Sequence, residues 1–259
     1  MSQQRLIGIL GGLGPEAGRL LQGYITEESM RQRTIRCDQD HCDVIHLSLP
    51  SLIPDRASYI FDQSQPNPTP IIYKILMSMK SMAELYGRAL SVCIPCNTYH
   101  APVLFDPLQD MLAQDNKNQN VRILNLIDES AQSVKKLYPR LTHVGLISTS
   151  GERKSNIYRH YLNLQGIDII QADEHEQQFV DDAIYNPVYG LKATSQGTPI
   201  VREMLRDIVL LLQQRGAEVI ILGCTELPFV FDQENFSGVQ FLSPMRVIAK
   251  RLIEDTMNG

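Results

Sequence analysis

The chain has 259 residues, 43% of them hydrophobic and 20% charged, with a formal net charge of −5. That length suits one large domain or two smaller ones with a sizeable core. The mild negative charge gives no electrostatic reason to bind nucleic acid or an anionic membrane, and no apolar run approaches a membrane span; a locally basic pocket for a small anion stays compatible with it.

Residues 6–10 read as a short strand. Arg5 and the apolar run after it weakly resemble a secretory signal, but Gly11, Gly12, Gly14, Pro15 and Glu16 follow at once. A buried strand entering a glycine turn explains that better, so a cytoplasmic protein is the expectation. Residues 16–31 have helical spacing, 43–48 form the next strand, 70–86 a helix and 89–94 a strand. The second half repeats the alternation, with strands at 121–124, 142–147, 167–170, 218–222 and 239–242. Helices are expected at 128–137, 152–164 and 199–214. Ser243 caps a last helix with Pro244 at its first position. Strand–helix alternation throughout predicts an α/β fold with mainly parallel sheets. The residues at 115–120 read as a polar surface loop.

The halves resemble each other. Ile7-Gly8-Ile9-Leu10 is echoed by Val144-Gly145-Leu146-Ile147. Residues 89–102 and 218–228 share a pattern: an apolar strand, a cysteine, small polar residues, then proline. This predicts two similar domains related by pseudo-two-fold symmetry, each presenting one cysteine at a strand end, with the active site between them. Their expected bounds are 1–105 plus 237–259, and 106–236. In open parallel sheets, ligands bind beyond the carboxyl ends of the strands, so both cysteines lie where function is expected.

Of the five cysteines, Cys37, Cys42, Cys93, Cys96 and Cys224, the odd count and chain length argue against a disulfide framework. A single buried cysteine is ordinarily a packing residue. Cys96 and Cys224 differ because their contexts match. A cysteine just before a helix start feels the helix dipole, and donors such as Asn97, Thr98 and Thr225 favour a thiolate. Two such groups facing each other suit inversion of a stereocentre, one removing a proton and the other delivering one.

Three motifs carry a resemblance to the aspartate/glutamate racemase family: Gly11-Gly12-Leu13-Gly14-Pro15-Glu16-Ala17, Pro95-Cys96-Asn97-Thr98, and Leu222-Gly223-Cys224-Thr225-Glu226-Leu227-Pro228. The resemblance implies a two-domain α/β racemase using Cys96 and Cys224 as paired acid/base thiols, without pyridoxal phosphate or any other cofactor, and without a metal. It also implies a homodimer and a small acidic amino acid, aspartate or glutamate, as substrate. Pro54-Asp55-Arg56 and Tyr189-Gly190-Leu191-Lys192-Ala193 resemble segments that bring cations to the substrate, so Arg56 and Lys192 are expected to grip a side-chain carboxylate. The α-carboxylate is expected on backbone N–H groups of Asn97, Thr98, Tyr99, Thr225 and Glu226, with Leu13's turn closing one side. Glu226 after Thr225, and the Gly-Gly-Leu-Gly-Pro start, favour the aspartate-type branch. Gly18 and Tyr99 depart from the common family pattern, and Tyr99 is expected to line the cleft.

Other readings compete. Gly12-x-Gly14-x-x-Ala17 mimics a dinucleotide fingerprint, but Pro15 interrupts it and no acidic residue ends a second strand about 20 residues on. Cys93-x-x-Cys96 could be redox-active or bind zinc, but Cys93 falls inside an apolar strand and reads as core. Cys37 reads as a loop thiol. A hydantoin racemase, a maleate isomerase-like enzyme, a decarboxylase of the same fold, or a non-catalytic small-ligand binding protein remain alternatives.

Overall fold

The computed structural model describes residues 5–114, 120–231 and 235–257. The polar stretch at 115–119 lies outside them. The chain divides into two compact units, Met1–Glu129 with Met245–Gly259, and Ser130–Pro244. In order, the elements are β1 (Leu6–Gly11), α1 (Pro15–Gln32), β2 (Val44–Ser48), α2 (Arg56–Phe61), α3 (Thr69–Leu85), β3 (Leu90–Cys93), α4 (Pro102–Ala113), β4 (Val121–Ile123) and α5 (Leu126–Leu137). Then come β5 (His143–Ser148), α6 (Ser150–Ser155), α7 (Ile157–Leu164), β6 (Asp168–Gln171), α8 (Glu174–Tyr185), α9 (Leu191–Thr194), α10 (Pro199–Gln214), β7 (Val219–Gly223), β8 (Asn235–Phe236), β9 (Val239–Leu242) and α11 (Pro244–Met257).

The first unit's sheet runs β2-β1-β3-β4, all parallel. Every residue of β1 is buried, as a parallel strand covered on both faces requires. Ile7 and Ile9 pack with α1 and α11, while Leu6 and Leu10 pack with α3 and α4. The second unit's sheet runs β6-β5-β7-β9-β8, parallel apart from the β8–β9 pair.

Strand for strand, β6-β5-β7-β9 has the order of β2-β1-β3-β4. The expected repeat is therefore a repeat of topology, and it extends to packing. Gly8 in β1 lies opposite Val92 in β3, and Gly145 in β5 opposite Ile220 in β7. A Cβ on Gly8 would meet Val92 Cγ2 at 2.9 Å, and one on Gly145 would meet Ile220 Cγ1 at 2.6 Å. Each first strand uses glycine to admit a branched side chain from its third strand.

Three expectations need correcting. β4 pairs with β3, so the first unit runs past residue 105 to Glu129; β8 and β9 extend the second sheet, so its unit continues past 236 to Pro244. The helix expected over 152–164 is two helices, because Asn156 adopts φ 53°, a left-handed conformation that asparagine tolerates better than most residues. The cysteines are followed by short 3-10 turns, Asn97–His100 and Leu227–Phe229, rather than by long helices with a strong dipole. Among the described residues no helix is long and apolar enough to cross a membrane.

Candidate active site

In each sheet the chain leaves the first strand to one side and returns on the other, so the first and third strands flank the point where strand order reverses. Ligand crevices form at such points, beyond the strands' carboxyl ends. Cys96 lies three residues past β3, and Cys224 directly follows β7. Each thiol thus stands at the reversal point of its own sheet.

In the first unit, β1 ends at Gly11 and turns at Gly12, whose φ of 95° belongs to glycine's range. A Cβ there would also meet Leu49 N at 2.9 Å. Asp55 caps α2 by accepting from Ser58 N at 2.7 Å, and Arg56 opens the helix. Arg56 Nη2 donates to Leu13 O at 2.7 Å. The Asp-Arg pair therefore braces the glycine turn, a contact the expected carboxylate grip did not include.

Cys96 is 7% exposed; its N–H donates to Ile94 O at 2.8 Å and its carbonyl accepts from Tyr99 N at 3.2 Å. Asn97 and Thr98 are buried beside it. The Tyr99 amide is committed to this turn and so is not an anion donor. The Tyr99 side chain is fully buried in the first unit's core with Leu104 and Leu108. It is not a cleft-lining group: its ring fills the core beneath the turn, and burial raises its phenol pKa. Cys93 and Cys96 join different core clusters, and burial pushes the Cys93 thiol up. Cys37 is exposed. Among the described residues no group of three or more His, Cys, Asp and Glu could hold a metal ion. Sequence reasoning missed His100, which is buried, bonds through Nε2 to Ile94 O at 3.2 Å and lies 4.8 Å from the Phe105 ring. Burial lowers its pKa to about 4, so it is neutral.

In the second unit, Cys224, Thr225, Glu226 and Lys192 form one cluster. Cys224 Sγ donates to Glu226 Oε2 at 3.1 Å, and Thr225 Oγ1 donates to the same oxygen at 3.0 Å. Lys192 Nζ, from α9, donates to Glu226 Oε1 at 2.8 Å. Its ammonium also lies 5.8 Å from the Tyr185 ring centre. Burial works against the Glu226 carboxylate, but Lys192 and the three hydrogen bonds outweigh it and hold its pKa below the usual carboxylate value. Burial likewise opposes the Lys192 charge, and Glu226 outweighs it in the other direction. Burial, then the Glu226 charge, push the Cys224 thiol well above its ordinary value, with Lys192 opposing.

These partners change two expectations. Lys192 is already neutralised, so its charge is not freely available to a substrate carboxylate. Nor does the local field favour a thiolate at Cys224; the resting form is the thiol, with its proton directed at Glu226.

The sequence model of the Asp/Glu/Hydantoin racemase family matches residues 10–252. The chain belongs to that family. Its fold is similar to that of Picrophilus torridus aspartate racemase, with a TM-score of 0.76 at 23% identity, covering 98% of this chain and 94% of that one. It is also similar to a glutamate racemase from Francisella tularensis subsp. tularensis SCHU S4 crystallised with D-glutamate, with a TM-score of 0.62 at 17% identity, covering 99% and 82%. A curated relative, described as an uncharacterized protein in the pnlA 3′ region of Pectobacterium carotovorum subsp. carotovorum, is 32% identical over 142 residues, 54% of this chain and 89% of that protein.

Proposed function

We propose that the protein is an amino-acid racemase that inverts Cα of aspartate or glutamate without a cofactor, by a two-base 1,1-proton transfer. One observation carries this reading: each unit places a buried cysteine at the reversal point of its sheet, in the same topological position. Family membership supports the acidic amino acid.

In the proposed reaction Cys96 and Cys224 exchange protons with opposite faces of Cα. In one direction Cys224 acts as base. Its thiol proton moves onto Glu226 Oε2, which already accepts its hydrogen bond, and the thiolate takes the Cα proton. Cys96 then gives its proton to the opposite face. The reverse direction exchanges the roles. Lys192 offsets the Glu226 charge in the resting state and faces the thiolate when Glu226 is neutral. Asn97, Thr98 and Thr225 are proposed to receive the α-carboxylate, and Leu13's turn, braced by Arg56, to close the site.

The test is incubation of purified protein with each enantiomer of aspartate and glutamate, without added cofactor, followed by chiral chromatography. Racemisation of at least one pair is expected, and loss of it in both Cys96→Ser and Cys224→Ser. Undiminished racemisation in either variant contradicts the two-thiol mechanism. Activity on a hydantoin in place of all four amino acids contradicts the substrate.

A further inference from the structure

We propose that His100 is a positioning residue for Cys96: its imidazole closes the chain between Ile94 and His100 into a loop that fixes the thiol within it. This rests on the reading of Cys96 as an acid/base group. β3 ends at Cys93, so Ile94 has left the sheet. Every residue from Leu90 to Ala101 is buried, and Ile94 is 0% exposed. Its carbonyl therefore needs donors from the protein itself. Two meet on that oxygen: the Cys96 N–H at 2.8 Å and His100 Nε2 at 3.2 Å. One acceptor thus joins the backbone of Cys96 to the imidazole.

Two further bonds shape the same stretch. The Cys96 carbonyl accepts from Tyr99 N at 3.2 Å, and the Thr98 carbonyl from Ala101 N at 3.2 Å. Both are backbone bonds that many sequences could make. The bond from the end of the stretch back to its start needs the imidazole. Phe105 of α4 holds the ring from another side, at 4.8 Å between ring centres and 43° between planes. Phe105 belongs to the same core cluster as Cys96 and Tyr99. Removing the imidazole would leave a buried carbonyl one donor short and open a gap beside that core.

A carbonyl only accepts, so Nε2 carries the ring proton. Nδ1 finds no partner among the described residues, and burial, opposed by the Ile94 bond, lowers the His100 pKa to about 4. The imidazole is therefore neutral, with its single N–H spent on Ile94. Among the described residues none of its hydrogen bonds reaches the Cys96 thiol, so it is not the base for that thiol and acts on it through the backbone. Proton transfer makes such an anchor matter, because a misplacement of about 1 Å costs on the order of 100-fold in rate.

The test compares two amides that differ in reach. Glutamine places an N–H donor about as far from Cβ as Nε2 lies, whereas asparagine is too short. Carbamidomethylation of Cys96 and Cys224 by iodoacetamide at pH 7.5 is followed in the same sample by fragment-ion mass spectrometry, which assigns each label to its cysteine. In His100→Asn, Cys96 should react several-fold faster while Cys224 keeps its rate. In His100→Gln both rates should match the unaltered protein. Racemisation should follow the same order: kcat down by roughly tenfold or more in His100→Asn with KM unchanged, and restored in His100→Gln. Cys96 rates that fail to separate the two variants in this order overturn the proposal. So does a parallel change at Cys96 and Cys224, which marks general loosening, and so does an undiminished kcat in His100→Asn. If His100→Asn does not fold, imidazole nitrogen NMR of the unaltered protein decides: a proton on Nε2 with bare Nδ1 is expected, and a proton on Nδ1 overturns the proposal equally. A protein that racemises nothing yet shows this labelling pattern counts against the racemase reading and not against His100.

Discussion

Replacing Lys192 by methionine keeps most of the side chain's volume and removes its charge. The Lys192 and Glu226 side chains are 27% and 3% exposed and pair at 2.8 Å. With both below one third exposed, water screens the pair little. Removing one partner of such a pair leaves an uncompensated buried charge, which costs about 3–5 kcal/mol. The sign follows from the depressed carboxyl. Its stabilisation is present above the unfolded carboxylate pKa of about 4.3 and is lost as pH falls through the lower folded value. In Lys192→Met, burial acts on Glu226 without the cation, so its folded pKa rises above the unfolded value. The variant then regains stability as pH falls toward 5, where Glu226 binds a proton. Urea denaturation followed by far-ultraviolet circular dichroism at pH 8 and pH 5 reads both effects. With a slope of about 2–3 kcal/mol/M, the midpoint should fall by about 1–2 M at pH 8. At pH 5 the gap should be distinctly smaller. Equal midpoints at pH 8, or a gap independent of pH, would refute the ion-pair reasoning.

Gly18→Ala places a Cβ 2.5 Å from His46 Nε2, so it should destabilise by about 1–2 kcal/mol. In a His46→Ala background the same change should instead stabilise by up to about 1 kcal/mol through helix propensity, and thermal melts of the four proteins measure the coupling. Asn156→Ala should lower stability by about 1–2 kcal/mol at its left-handed φ, while Asn156→Gly should be close to neutral; the same melts check it.

The parts of the site carried by local pattern were legible in the sequence. Gly12's turn follows an apolar strand, and Cys96 and Cys224 each come just after one, so neighbouring residues announce them. Gly8 and Gly145 marked the repeat because each admits a branched residue from the third strand of its own sheet. Glu226 and Lys192 carry no local signal for each other; they are 34 residues apart in sequence, and only folding makes one neutralise the other. Tyr99 stands out in the sequence as a departure from the family pattern beside Cys96, which suggests a cleft-lining role, whereas its ring fills the core beneath the turn. Asn156 interrupts a run whose apolar spacing continues through it, so periodicity alone joins the two helices.

The central claim is that two thiols serve opposite faces of one carbon. It is tested most directly by the fate of the Cα proton in D2O at low conversion. With a protiated single enantiomer as substrate, two bases should deliver solvent deuterium to nearly every molecule of the inverted product, while recovered substrate keeps its protium. Product that retains the original proton, or deuterium appearing equally in both enantiomers from the start, would contradict the assignment of Cys96 and Cys224 to opposite faces.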